Sequence, residues 1–147
     1  MKSELLLPQE MARQIEREGI AAYPNECCGI LFGKEVRENG DDQRFVERIE
    51  KVENEFEENE QFHRFLITPD TLKKAEEAAA TEGRLVLGFY HSHPDAPARP
   101  SEYDRQHGWP FYSYVIVSIL NQEAADMTSW VMDEVTEQFE RQEMVET

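Results

Sequence analysis

The sequence predicts an α/β domain with a mixed central sheet flanked by helices, and three observations carry that expectation. The run Leu85-Val86-Leu87-Gly88-Phe89-Tyr90 is apolar without alternation, as a strand covered on both faces must be. A helical pattern with its own start and stop signals, Thr68-Pro69-Asp70 to Gly83, stands directly before it. The chain's 147 residues suffice for one domain, 1–147, with a core of its own, and leave no room for a second.

In chain order, Pro8 suits a first helical turn, Met11 and Ile15 fall at helical spacing and Gly19 offers a stop, which predicts a helix over 8–18. Tyr23-Pro24-Asn25 breaks the chain. Cys27 to Gly33 is a short apolar run between turn formers and reads as a buried strand, with Glu26 at its beginning. From Glu35 to Glu60 there are eleven acids and four bases, with Asn39-Gly40-Asp41 as a turn signal, so this stretch reads as a hairpin followed by a charged loop near 53–61. Phe65-Leu66-Ile67 reads as a short extended piece before the helix of 68–83. The strand at 85–90 leads into His91-Ser92-His93-Pro94, and Ser101 begins a polar helical turn that stops near Gly108. Tyr114–Leu120 and Thr128–Met132 read as strands joined through Asn121-Gln122-Glu123, whereas 133–147 fits either a strand near Phe139 or a frayed helix.

Composition narrows function. Fifteen Lys and Arg against thirty-one Asp and Glu give a net charge of −16, which lacks the basic surface a phosphate backbone requires, so nucleic acid is not expected as a partner. The acid excess serves solubility or attracts basic partners, and charge alone does not choose between these. Leu5-Leu6-Leu7, the longest apolar stretch near the start, is far short of a signal-peptide core or a membrane span, so the protein is expected to be cytoplasmic and off the membrane. Adjacent Cys27 and Cys28 match no ligand spacing and are poorly placed for a mutual disulfide; they read as buried, reduced core residues. Trp109, Trp130 and the Phe111-Tyr112 pair read as core packing, and His63 and His107 as outside any site.

The chemistry gathers at 91–104. His91 and His93 are two apart, so on a continuing strand they project from one face and converge on one ion, and Pro94 ends the strand at the sheet's carboxyl edge. Asp104, eleven residues past His93, returns a carboxylate; two imidazoles and one carboxylate make a tetrahedral zinc site with a fourth position for water. Such water still needs a base, and Glu26 arrives on another strand to supply one, while Ser101 lies one turn before Asp104, in reach of a developing oxyanion. Each has a plainer reading: Ser-x-x-Asp is also a helix start, H-x-H also describes surface histidines, and Glu26 is one acid among thirty-one.

The segment His91-Ser92-His93, then seven residues, then Ser101-Glu102-Tyr103-Asp104, with Glu26 upstream in Asn25-Glu26-Cys27-Cys28-Gly29, resembles the JAMM (MPN+) metalloprotease signature. The resemblance runs from about Pro8 to Trp130. It implies a cytidine-deaminase-like three-layer fold in which His91, His93 and Asp104 hold one zinc ion, Glu26 is general base and acid, and Ser101 polarises the tetrahedral intermediate. It further implies an (iso)peptidase cutting after the C-terminal Gly-Gly of a ubiquitin-like or sulfur-carrier β-grasp protein, with a homodimer as an option. The short chain is similar to the prokaryotic branch. The alternatives are a catalytically silent MPN-type scaffold, which usually lacks the ligands, a nucleobase deaminase, whose H-x-E and P-C-x-x-C are absent, and an acidic cation-binding protein.

Overall fold

A computed structural model describes residues 2–54 and 67–147, so the expected loop after Asn54 and the Phe65-Leu66 piece lie outside the described residues. The order is β1 (Ser3–Leu7), α1 (Gln9–Ala22), β2 (Cys28–Glu38), β3 (Asp41–Val52), α2 (Pro69–Thr81), β4 (Leu85–Pro94), α3 (Glu102–His107), β5 (Ser113–Leu120), β6 (Glu123–Met132) and β7 (Phe139–Glu146). Helix α2 begins where its signals say: Thr68 is the cap, its hydroxyl accepting the Thr71 amide, and Pro69 follows. Asn39 and Gly40 both take positive φ, 53° and 83°, the geometry of a two-residue type I′ turn between β2 and β3. Asn121 and Gln122, at 52° and 64°, do the same between β5 and β6.

The strands pair in the order β1-β3-β2-β4-β5-β6-β7, and β1 also pairs in parallel with β7, so the sheet curls into a closed barrel. Alternate residues of β2 and β4 feed two cores. Leu31 and Leu87 pack with Ala12 and Ile15 of α1 and with Val115 and Val117 of β5; Ile30, Phe32, Val86 and Phe89 pack with Ala75 and Ala79 of α2. One helix thus covers each face of the sheet at β4, the layered arrangement the sequence predicts, and each fully buried aliphatic side chain there contributes about 1.5–3 kcal/mol. Gly88 is required where β4 meets β5: a Cβ would fall 1.9 Å from the Ser113 carbonyl oxygen.

Four expectations are corrected. Helix α1 does not stop at Gly19 but runs to Ala22, because Gly19 is a buried contact point, where a Cβ would lie 3.0 Å from Ile119 Cδ1; the stop comes from Pro24, which drives Tyr23 out of the helical region to ψ 134°. The strand expected at 27–33 continues to Glu38 as one arm of the hairpin. Ser3–Leu7, read only as too short for a membrane, is strand β1. Phe111 is 62% exposed, held at φ 78° in the turn before β5, whereas Trp109 and Tyr112 pack against Phe89 as expected. Both cysteines are buried thiols, as expected, and that of Cys28 donates to the Val52 carbonyl oxygen at 3.6 Å. No helix of the described residues is long and apolar enough to cross a membrane.

Candidate metal centre and active site

Strand β4 carries His91 opposite Ile116 and His93 opposite Ser118 in the parallel β5, which places both imidazoles at the strand's carboxyl end. His91 is fully buried and His93 nearly so. His93 Nδ1 stands 2.9 Å from the Pro97 carbonyl oxygen, which accepts only, so Nδ1 carries the hydrogen and, in the neutral ring, Nε2 presents a lone pair. Ser92, between them, points to the other side of the strand, where its hydroxyl accepts the Cys27 amide at 2.8 Å, while the Ser92 amide donates to the Cys27 carbonyl at 3.2 Å. That reciprocal pair fixes the residue after Glu26, and Asn54 Nδ2 donates to the Glu26 carbonyl at 3.3 Å. The Tyr23 hydroxyl donates to Asp95, joining the segment before Glu26 to the one after Pro94.

Ser101 and Asp104 form a capping box at the start of α3. The Ser101 hydroxyl oxygen accepts the Asp104 amide at 3.1 Å and Asp104 Oδ2 accepts the Ser101 amide at 2.8 Å. The capping reading and the ligand reading are therefore compatible. Capping occupies an acceptor position of Ser101 and leaves its hydroxyl hydrogen for another acceptor; it also locks the Asp104 carboxylate in place.

His91 Nε2, His93 Nε2 and Asp104 Oδ2 stand 3.1, 3.2 and 3.4 Å from one another. Donors bound tetrahedrally at zinc distances of about 2.0–2.1 Å are separated by about 3.3–3.4 Å, so the triangle fits such an ion. The ligand atoms of Glu26, His91 and His93 also lie within 4.8 Å of one another, a buried group that could hold a metal ion. Glu26 Oε1 is buried and has no hydrogen-bond partner among the described residues. The donor chemistry suits a dication: lone pairs meet at short range, with few hydrogens to share.

Burial pushes the Glu26 carboxyl up to about 8, the Asp104 charge adding to the rise and His93 opposing it. Burial also raises Asp104, but the two imidazoles beside it outweigh this and hold its carboxyl well below the usual range. His91 is lowered by burial, partly offset by Asp104; at His93 the hydrogen bond and charge of Asp104 overcome burial and raise it. Two carboxylates of one site are thus pushed apart, the pattern of a proton carrier beside a permanent anion.

All five residues singled out from the sequence stand around this end of the barrel, whereas His107 is engaged by the Tyr103 carbonyl on α3 and His63 lies outside the described residues. Sequence reasoning passed over Ser92, Asn54 and the Pro97 carbonyl, which position rather than ligate; only the period-2 rule, turning Ser92 to the face opposite the two histidines, could have flagged one of them. An apolar concavity of about 300 Å³ borders Asp104 on one flank of α3, lined in part by Phe89, Tyr103, Trp109 and Tyr114; a second of similar size borders Ser101 on the other.

Comparison with known proteins agrees with this architecture. Prokaryotic homologs of the JAB domain match residues 8–133. The chain is 31% identical to a desampylase of Pyrococcus furiosus over 134 residues, covering 90% of this chain and 84% of that one. It is 36% identical to a desampylase of Haloferax volcanii over 104 residues, 69% of each. A JAB1/MPN domain protein from Archaeoglobus fulgidus, 18% identical, superposes with a TM-score of 0.55 over 99% of this chain and 97% of its own, which speaks to the fold. The chain belongs to the family of prokaryotic homologs of the JAB domain, the single-domain JAMM (MPN) metallopeptidases.

Proposed function

We propose that the chain is a zinc-dependent (iso)peptidase that hydrolyses the bond after the C-terminal Gly-Gly of a ubiquitin-like or sulfur-carrier protein. The observation that carries this reading is the 3.1–3.4 Å triangle of His91, His93 and Asp104 with the buried Glu26 carboxylate beside it. The desampylase names of two relatives support a conjugate-cleaving enzyme of this kind.

In this reading His91, His93 and Asp104 hold the ion. When bound, zinc supplies a Lewis acid for the scissile carbonyl and a means of acidifying water at neutral pH. Glu26, in a dry pocket, takes the proton of the attacking water and returns it to the leaving nitrogen; its raised affinity for a proton suits the second task. The Ser101 hydroxyl donates its hydrogen to the carbonyl oxygen as charge develops there, its orientation fixed by the Asp104 amide. A Gly-Gly tail, without side chains, lies extended and reaches the ion through a narrow passage.

The test is to incubate the zinc-loaded protein with carrier fusions and locate the cut by mass spectrometry. Cleavage directly after Gly-Gly is the expected result. A cut elsewhere would remove the substrate class, and purified protein that binds no stoichiometric zinc would remove the chemistry.

A further inference from the structure

The loop from Asp95 to Ser101 is held by the barrel at several points. Ser118 Oγ donates to the Ala96 carbonyl at 2.5 Å, and Thr128 Oγ1 donates to the Ala98 carbonyl at 2.6 Å while accepting the Trp130 indole N–H at 2.8 Å. Ala98 is buried, and the Arg99 amide donates to the Pro97 carbonyl at 2.8 Å. The backbone that carries Arg99 is therefore fixed on both sides, yet its side chain is exposed and forms no ion pair or side-chain hydrogen bond among the described residues. It helps to line the second concavity, about 300 Å³, whose walls include Ser101, Glu102, Arg105 and Trp130. The acid on that wall, Glu102, is already committed to Arg105 through both carboxylate oxygens, so it does not quench Arg99.

We propose that Arg99 is a specificity-determining residue that binds a carboxylate on the leaving-group side of the scissile bond, within the concavity beside Ser101. The inference rests on the Gly-Gly reading and deepens it. Ser101 borders both the ion-binding triangle and this concavity, so a group a few bonds from the scissile bond reaches Arg99. Gly-Gly carries no charged side chain; on the acyl side there is nothing for a guanidinium to read. When the departing component is a single C-terminal residue, the formal charge close to the bond is its carboxylate. In a protein of net charge −16 a carboxylate is repelled at long range, and a guanidinium on a held backbone, without an acid partner among the described residues, is what admits one at the point of arrival. Trp130, with the Arg141 guanidinium 5.5 Å from its ring on β6–β7, gives the concavity a flat apolar wall for the stem of that component.

Two substrates that differ in one charge test this: a Gly-Gly carrier extended by a single residue with a free C-terminal carboxylate, and the same carrier with that carboxylate amidated. The parental protein should cut the acid with a kcat/KM about tenfold above the amide, the magnitude of one charge-assisted hydrogen bond. Arg99→Gln should abolish that preference, mainly through KM, leaving the amide within about twofold, and Arg99→Lys should restore part of it. Equal cleavage of acid and amide by the parental protein, or an Arg99→Gln variant that slows both alike, overturns the assignment while leaving the Gly-Gly reading intact. Failure of the parental protein to cut either substrate overturns that reading and this inference with it.

Discussion

Among the described residues, buried charged and titratable polar groups gather in two places, and these are built on opposite rules. At the carboxyl end of β4, His91, His93, Asp104 and Glu26 bring acceptor atoms together at short range. At the other end of β5, five residues or about 17 Å away along the strand, Arg44 anchors a network that is nearly closed. Its guanidinium donates to Glu35 and Asp42, both at 3.0 Å, and to Ser113 at 2.8 Å; Ser113 and Ser129 donate to Gln142 Oε1, whose amide donates to Ser3. Five strands besides β3 are tied through that network, and cations and donors answer the acceptors almost one for one, Asp42 Oδ1 being the exception, with Arg37 Nε 4.0 Å away. The difference separates a structural polar core from a binding one. Where valences close within the protein, burial is stable; where acceptors converge on one another, protons or a cation from outside must answer them.

The contrast can be broken most forcefully at Glu26. Glu26→Gln should lower kcat by about 10³-fold with zinc content unchanged, since the shape is kept and the proton carrier lost; His91→Ala should lose both metal and activity. Arg44→Leu attacks the other end: it leaves Glu35 and Asp42 facing each other and should cost about 3–5 kcal/mol of stability by denaturant titration, with zinc stoichiometry and kcat per folded molecule intact. A loss of kcat there would mean that the two ends are not independent. The third test is pH. In metal-free protein Glu26 holds its proton up to about pH 8 against an ordinary 4.5. Between these values the unfolded chain has released a proton that the folded chain still binds, so Glu26 makes stability fall as pH rises through that window and adds no further slope above it. Glu26→Gln should remove this loss, so the urea midpoints of variant and parent, taken in chelator, should differ most at pH 8 and converge at 4.5. The smallest effect belongs to Ser101→Ala, about 10²-fold in kcat with KM kept, plus about 1 kcal/mol for the lost cap.

Legibility in the sequence followed how local each signal was. The α2 cap, the Asn39-Gly40 turn and the continuous apolar run of β4 are decided by neighbours in the chain, and each lies where it was expected. Strand β1 was not legible because its pairing partners, β3 and β7, are about 40 and 140 residues away, and three leucines alone do not announce a parallel strand. The last strand was ambiguous for a related reason: Gln142, which its pattern places inward, is polar because it serves the Arg44 network, so the alternation that marks a half-buried strand is interrupted where it matters. Gly19 misled because a glycine needed for close packing looks, in sequence, like one needed to end a helix. At the site, residue types and spacing pointed to the groups that now meet, whereas Ser92 and Asn54 hold backbone atoms of Cys27 and Glu26 and Pro97 acts through its own carbonyl, pairings across the fold that sequence does not display.

The turn from Ser101 to Asp104 has a consequence for how such a protein could lose its activity over evolutionary time. The same two side chains start a helix and, in the proposed mechanism, hold the ion and the developing oxyanion, so a substitution that silences Asp104 also loosens local folding, and selection for a sound fold shelters it. His91 and His93 have no such second employment as helix-starting residues. An inert descendant should therefore discard its histidines first and carry the serine and the acid onward as a relic.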